Sequence, residues 1–102
     1  MTEKKLILSD DSVEDMRDIA SFIVSVSRPQ HAMRYIDEVL AELNTLCCMA
    51  TMLPESRYYY PKRFHPESKM MTLHKKPLCA IFHIEGEFVV VDRIVHPSMI
   101  LY

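Results

Sequence analysis

Residues that could move protons or hold negative charge are concentrated in the second half of this 102-residue chain. Arg93 and His96 lie close together near its end, and His74, Lys75 and Lys76 form a basic run before them. Histidine can exchange a proton near neutral pH, while lysine and arginine can hold a phosphate or a developing negative charge. These residue types suit acid–base chemistry or contact with phosphate.

Each of these candidates has a structural alternative. An arginine inside the apolar stretch 88–95 is typically held in an ion pair, because buried charges are usually paired. A histidine that ends a strand, such as His96, often caps or packs, and the basic run 74–76 could be a charged turn between two strands. His65 and His83 are weaker candidates for catalysis. The sequence leaves both interpretations open.

Patterns typical of cofactors, metals and hydrolases are missing from the sequence. The five histidines provide no pair with ligand spacing and a second pair to complete a site. A single glycine excludes a glycine-rich phosphate loop, and a serine hydrolase would need a nucleophile elbow that the chain lacks. Tyr58, Tyr59 and Tyr60 could stack on bases or on a partner, or could cover the edge of the core. We expect no cofactor and no metal.

Cysteine usage and hydropathy predict a cytoplasmic protein. Cys47 and Cys48 are adjacent and Cys79 is distant, and an odd count leaves one thiol unpaired in any disulfide scheme. No apolar run approaches the roughly 20 residues that span a bilayer. We therefore expect reduced thiols and no membrane partner.

The first half of the chain predicts a short strand and a helical hairpin. Residues 4–9 favour a strand, and Ser12 with Asp15 resembles a capping box that begins a helix. Apolar residues recur at three- and four-residue steps until the residue before Pro29, which is disfavoured in a helix. Pro29 suits the first position of a second helix, which runs to about Met49. So short a link predicts antiparallel packing.

The second half predicts a loop over 54–66 and strands over 68–75, 78–84 and 88–95. Gly86 falls between the last two strands, where a tight hairpin favours positive φ. A turn at Glu85-Gly86 would place Arg93 on the sheet face of Phe82. Both faces of this hairpin are apolar, so we expect both to be covered. The order of elements predicts one α+β domain over residues 1–102.

Three segments of the chain resemble the RelE/ParE superfamily, the toxins of bacterial type II toxin–antitoxin pairs. Residues 13–19 are like the family's Ala-x-x-Asp-Leu-x-x-Ile, and residues 29–32 open the second helix as in the family. Residues 80–96 are similar to the signature Ile-x-Tyr-x-Val-x-Gly-x-x-Val-x-Ile-x-Arg-Val-x-His. Taken in order, the resemblance covers nearly the whole chain.

This resemblance implies a strand, a helical hairpin and an antiparallel β-meander packed against the helices. It also implies a toxin that inhibits growth until a cognate antitoxin wraps over its sheet and helix faces. Operator DNA would be reached only through that antitoxin. The long hairpin and sparse basic residues favour the ParE-like branch, whose members resemble poisons of DNA gyrase that act through protein contact.

Two alternatives remain open within the resemblance. A RelE-like toxin would be a ribosome-dependent endoribonuclease acting on translated mRNA, with Arg93 and His96 catalytic and His74, Lys75 and Lys76 in contact with phosphate. An inactive toxin fold would serve only as an antitoxin-binding partner. Three departures from the family bear on this choice: Met70 or Met71 stands near an expected arginine, Phe82 replaces a tyrosine, and Pro97-Ser98-Met99-Ile100 follows His96 where an arginine is common.

The charge of the chain is divided between its halves. The formal net charge is -2, but residues 1–55 hold five Lys and Arg against ten Asp and Glu, a balance of -5. Residues 56–102 hold seven against four, a balance of +3, and four of the five histidines. This modest excess favours a protein target over RNA.

Overall fold

The chain folds in the order strand, helical hairpin and three further strands, as the sequence predicts. The structure is a computed structural model that describes residues 3–74 and 76–100. Strands and helices have the following bounds: β1 Lys5–Leu8, α1 Asp10–Val26, α2 Pro29–Met49, α3 Tyr59–Lys62, β2 Lys69–Thr72, β3 Cys79–Glu85 and β4 Phe88–Val95. Single 3-10 turns follow α2, at Ala50–Met52, and β4, at Pro97–Ile100.

The strands form one four-stranded sheet in the order β1-β4-β3-β2. The pairs β2–β3 and β3–β4 are antiparallel, which confirms the meander, and β1 pairs in parallel with β4. The helical hairpin packs on one face of this sheet. Residues buried between helices and sheet include Val39, Leu43 and Leu46 from α2 and Phe82, Val89 and Val91 from the sheet. The predicted α+β architecture is therefore confirmed.

The junction between β1 and α1 is fastened to β4. The N-cap of α1 is Ser9 and not the expected Ser12: the Ser9 hydroxyl oxygen accepts from the Ser12 backbone N–H at 3.0 Å. Ser9 also donates its backbone N–H to the Val91 carbonyl at 3.0 Å and its hydroxyl to the Asp92 carbonyl at 2.8 Å. Ser12 is fully buried, and its hydroxyl donates to the Ser9 backbone carbonyl. These contacts direct α1 alongside the part of β4 that is not paired with β1.

The second helix agrees closely with the sequence prediction. Pro29 is its first residue, Arg28 is its N-cap, and it ends at Met49. Proline is well suited to this position because the first helical N–H has no partner within the helix.

A β-bulge in β4 corrects the predicted sheet faces. Ile81 pairs with Arg93 but Phe82 pairs with Val91, so Asp92 is an extra residue on β4. Beyond the bulge the side chains exchange faces, because successive residues of a strand point to opposite sides. The prediction that Arg93 shares a face with Phe82 is therefore wrong; Arg93 lies on the face of Ile81.

Part of the second face of the sheet is covered by the chain itself. Ile81 and Val95 form a second buried cluster with Ile100 of the C-terminal 3-10 turn, and Tyr60 and Phe64 pack against it. The segment 54–66, expected to be a loop, contains the short helix α3 that brings these two aromatic rings to the sheet. The expected cover is therefore supplied by the chain around Ile81 and Val95, whereas Ile7 of β1 and Phe88 of β4 stay 41% and 38% exposed.

The β3–β4 turn lies one residue later than predicted. Glu85 pairs with Phe88, which leaves Gly86 and Glu87 as the turn, and Gly86 has φ +58°. Only glycine adopts this left-handed conformation without a steric cost.

Substitution of Gly86 by alanine should therefore lower the free energy of unfolding by about 1 kcal/mol. A Cβ at this position would meet nothing within 4 Å, so the cost is conformational alone. Urea denaturation would measure it, with Gly86→Asn as the matched control, because asparagine tolerates the left-handed region better. Equal losses in the two variants would contradict this explanation.

No helix among the described residues is long and apolar enough to cross a membrane.

Candidate functional site

Arg93, the first catalytic candidate, forms a two-pronged ion pair with Asp15 of α1. Arg93 Nε donates to Asp15 Oδ2 at 2.8 Å, and Nη2 donates to Oδ1 at 2.9 Å. Both side chains are largely buried, with exposed fractions of 28% for Arg93 and 13% for Asp15. The Arg93 guanidinium also lies over the Phe64 ring, 5.9 Å from its centroid. The arginine is therefore held between a helix and the second face of the sheet.

Asp15 serves the backbone as well as the arginine. Its Oδ2 accepts the Ile94 backbone N–H at 2.9 Å, on the edge of β4 beyond the end of β1. The hydrogen bond to Asp15 raises the pKa of Arg93 further, and burial opposes that rise only in part. One carboxylate thus closes a strand edge and neutralises a partly buried charge.

His96, the second catalytic candidate, is exposed and caps the C-terminal 3-10 turn. Its Nδ1 lies 2.9 Å from the Ser98 hydroxyl and accepts the Ser98 backbone N–H at 3.1 Å. Arg93 and His96 therefore contact different partners, and no hydrogen bond between them is found among the described residues. Their catalytic role stays a prediction.

The basic run 74–76 lies against acidic residues of α2. The Lys76 ammonium is 2.7 Å from Glu38, its side chain is only 8% exposed, and it lies 5.1 Å from the centroid of the Tyr35 ring. His74 is exposed, and its backbone N–H donates to the Glu42 carboxylate. Lys75 lies outside the described residues. The predicted phosphate contact would have to compete with these carboxylates.

The two histidines that were the weaker catalytic candidates, His65 and His83, form a cluster on the second face of the sheet. His83 is buried, with Nδ1 2.6 Å from Asp92 Oδ2 and Nε2 2.9 Å from Glu85 Oε1. The His65 ring stacks on the His83 ring, with centroids 4.1 Å apart and planes within 2°. Alternation along β3 and β4 already places Glu85 and Asp92 on the face of His83, so the sequence held a signal for this cluster.

An apolar groove opens on the opposite side, between the two helices and the 77–78 turn. We call it the hairpin groove; its volume is about 670 Å³. The groove is lined by Asp18, Ile19, Phe22, Ile23, His31, Tyr35, Pro77, Leu78 and His96. Phe22 in its lining is 66% exposed, and Val26, one turn further along α1, is 67% exposed. This surface is unusual for the polar face of a helical hairpin.

Comparison with known families identifies the chain. The family model described as "ParE toxin of type II toxin-antitoxin system, parDE" matches residues 6–101. The chain belongs to the ParE toxin family. The suspected resemblance and its ParE-like branch are thereby confirmed.

A solved structure of similar fold supports the same architecture. The ParE-family chain superposes with a TM-score of 0.77 on a structure titled "Chromosomal ParDE TA system from P. aeruginosa". The match covers 92% of this chain and 96% of that one, at 18% sequence identity. No curated protein matches the chain.

The tyrosine trio of this ParE-family chain is divided between two roles. Tyr60 covers the second face of the sheet and meets Phe64 edge to face at 5.4 Å. Tyr58 and Tyr59 are exposed, at 42% and 72%. Of the trio, Tyr58 and Tyr59 are therefore the more accessible to a partner.

The stability of the chain in metal-free buffer should fall as the pH rises above 6.5. Burial lowers the pKa of His83, but hydrogen bonds to Asp92 and Glu85 outweigh this and raise it above its ordinary 6.5. A raised folded-state pKa stabilises the fold below 6.5, and this contribution is lost as the pH passes the folded value.

Urea denaturation between pH 6 and 9 would measure this dependence. His83→Gln should flatten the curve, whereas His31→Gln, at an exposed histidine outside the cluster, should leave it unchanged. A His83→Gln curve as steep as that of the unmodified chain would refute the assignment.

Proposed function

We propose that this chain is a toxin that acts in the cytoplasm, poisons DNA gyrase through protein contact and is neutralised by a cognate antitoxin. Family membership supplies the toxin class, and the state of Arg93 carries the choice of target. Its guanidinium, the strongest candidate for stabilising a phosphorane, is committed to Asp15.

The chemistry of RNA cleavage explains why this commitment matters. Attack of a 2′-hydroxyl on the neighbouring phosphate needs a proton acceptor, a proton donor and cations against the phosphorane. Arg93 would have to leave a largely buried carboxylate to supply such a cation, and that would leave Asp15 an uncompensated charge. Lys76 would have to leave Glu38 in the same way. These costs favour a toxin without a catalytic centre.

The antitoxin is proposed to occupy the hairpin groove. The chain covers the β3 side of the second sheet face, and the most exposed apolar side chains of α1 are Phe22 and Val26, of which Phe22 lines the groove. A partner that places apolar side chains in this groove would remove that surface from water. Operator DNA would be bound by the antitoxin, since the helical half of the chain is acidic.

The deciding experiment is to induce the chain alone and together with the gene next to its own. We expect growth arrest by the chain alone, gyrase-linked DNA breaks in the arrested cells, intact mRNA, and rescue by the neighbouring gene. His96→Ala should remain toxic, because His96 is proposed to have no catalytic role.

Cleaved mRNA without trapped DNA breaks, lost in His96→Ala, would instead indicate the endoribonuclease alternative. Normal growth despite accumulation of folded, antitoxin-binding chain would indicate an inactive toxin fold. Either result would overturn the proposed target.

A further inference from the structure

The cluster of His65, His83 and Glu85 has no part in the proposed toxin mechanism. It lies on the second face of the sheet, whereas the hairpin groove lies among the helices. One ligand atom from each of the three side chains lies within 4.8 Å of the others. Two imidazoles and a carboxylate are a ligand set that Zn²⁺ accepts, with water completing the tetrahedron.

His83 has the orientation that is typical of a histidine that binds a metal. Its Nδ1 lies 2.6 Å from Asp92 Oδ2, and a neutral ring that donates there carries its lone pair on Nε2. A carboxylate behind the ring fixes the tautomer and makes the metal-facing nitrogen more basic. The side chain is only 7% exposed, and the bulge in β4 positions Asp92 for this contact.

The second ring nitrogen of His83, Nε2, also faces a hydrogen-bond acceptor. Glu85 Oε1 lies 2.9 Å from it, which places a nitrogen lone pair against a carboxylate oxygen unless a proton or a cation lies between them. The Glu85 side chain is 63% exposed, so an ion can reach this position from solvent.

His65 would complete the site by turning out of its stack. Parallel rings cannot both direct an in-plane lone pair at one ion, so one of them must rotate, and His83 is fixed by Asp92. His65 is half-buried, and its Nδ1 accepts only the nearby Glu67 backbone N–H, at 3.0 Å. On rotation, His65 would lose its hydrogen bond from Glu67 and its stacking on His83, and would gain a bond to the metal.

We propose that His65, His83 and Glu85 form a Zn²⁺ site, with Asp92 as the positioning residue behind His83, and that the bound ion fastens segment 54–66 to β3. The joined elements cover the second face of the sheet through Tyr60 and Phe64. Hard cations such as Mg²⁺ and Ca²⁺ are not expected to bind, because they prefer all-oxygen ligands.

Calorimetric titration of the full chain, without an affinity tag, with ZnCl₂ at pH 7.5 tests the site. All proteins would carry Cys48→Ser, because the exposed Cys48 thiol lies 3.5 Å from Glu3 and could bind the ion itself. We expect binding of a single equivalent of Zn²⁺, a rise in Tm on binding, and no response to MgCl₂. Co²⁺ in place of Zn²⁺ should give the visible absorbance of a nitrogen- and oxygen-ligated tetrahedral site.

Variants assign the ligands. His65→Gln and Glu85→Gln change partly exposed side chains and should weaken Zn²⁺ binding at least about tenfold, and Asp92→Asn should act through His83 with a loss of about tenfold. His31→Gln, at an exposed histidine elsewhere, should bind as the parent does. The proposal would be overturned if the parent chain did not bind Zn²⁺. It would also be overturned if His65→Gln and Glu85→Gln bound Zn²⁺ as tightly as the parent does.

Discussion

Replacing Asp15 with alanine is expected to lower the free energy of unfolding by about 2–3 kcal/mol. The substitution leaves the Arg93 guanidinium beside Phe64 without its ion-pair partner. It also leaves the Ile94 N–H on the β4 edge without its acceptor. The loss stays below that of a fully buried pair, because the Arg93 side chain is 28% exposed and water can partly replace the carboxylate.

Urea denaturation would measure the effect, with Arg17→Ala as the matched control. Arg17 lies on the same helix and pairs with Glu14 at 3.7 Å, but both side chains are mostly exposed, so its loss should cost less than about 0.5 kcal/mol. A double-mutant cycle of Asp15→Ala with Arg93→Ala should show coupling of more than about 1 kcal/mol. Additive losses would mean that the two side chains do not act as a pair.

Replacing Phe22 with aspartate is expected to weaken antitoxin binding by about 100-fold or more, which corresponds to about 2.7 kcal/mol. Phe22 lines the hairpin groove and is 66% exposed, so a partner that fills the groove would bury it. The introduced carboxylate would be desolvated in the complex beside Asp18, another residue of the groove. In cells, the variant should stay toxic when the antitoxin is co-expressed.

Met52→Asp provides the matched control. Met52 is 76% exposed but lies in the 3-10 turn after α2, at the other end of that helix from Met33. Both variants should keep the parental Tm, because neither changes a buried residue. Equal affinity of the Phe22→Asp and Met52→Asp chains for the antitoxin would place its binding site elsewhere.

Most elements of the fold are readable from local signals. Pro29 fixes the start of α2 because its geometry suits only the first helical turn, and Gly86 identifies the hairpin because few residues adopt positive φ. The short helix α3 and the capping role of Ser9 were not predicted. Both depend on surfaces supplied from elsewhere: α3 packs on the sheet, and Ser9 is bonded to β4.

The candidate site was less accessible to sequence reasoning. The sequence predicts that Arg93 is either catalytic or paired, but its partner Asp15 is 78 residues away, and its local pattern indicates only a helix cap. The single extra residue at Asp92 decides the sheet face of Arg93, because a bulge reverses the alternation of every residue after it. Nothing in the order of residues 88–95 marks that bulge.

The sequence by itself determined the order of elements, the α+β class and the toxin family, because hydrophobic period, turn residues and the 80–96 signature are local properties of the chain. Only the tertiary structure decided that Arg93 is held by Asp15, that Asp92 and Glu85 enclose His83, and that Phe22 is exposed in a groove between the helices. Those outcomes depend on strand register and on contacts between residues far apart in the chain, which local patterns do not encode.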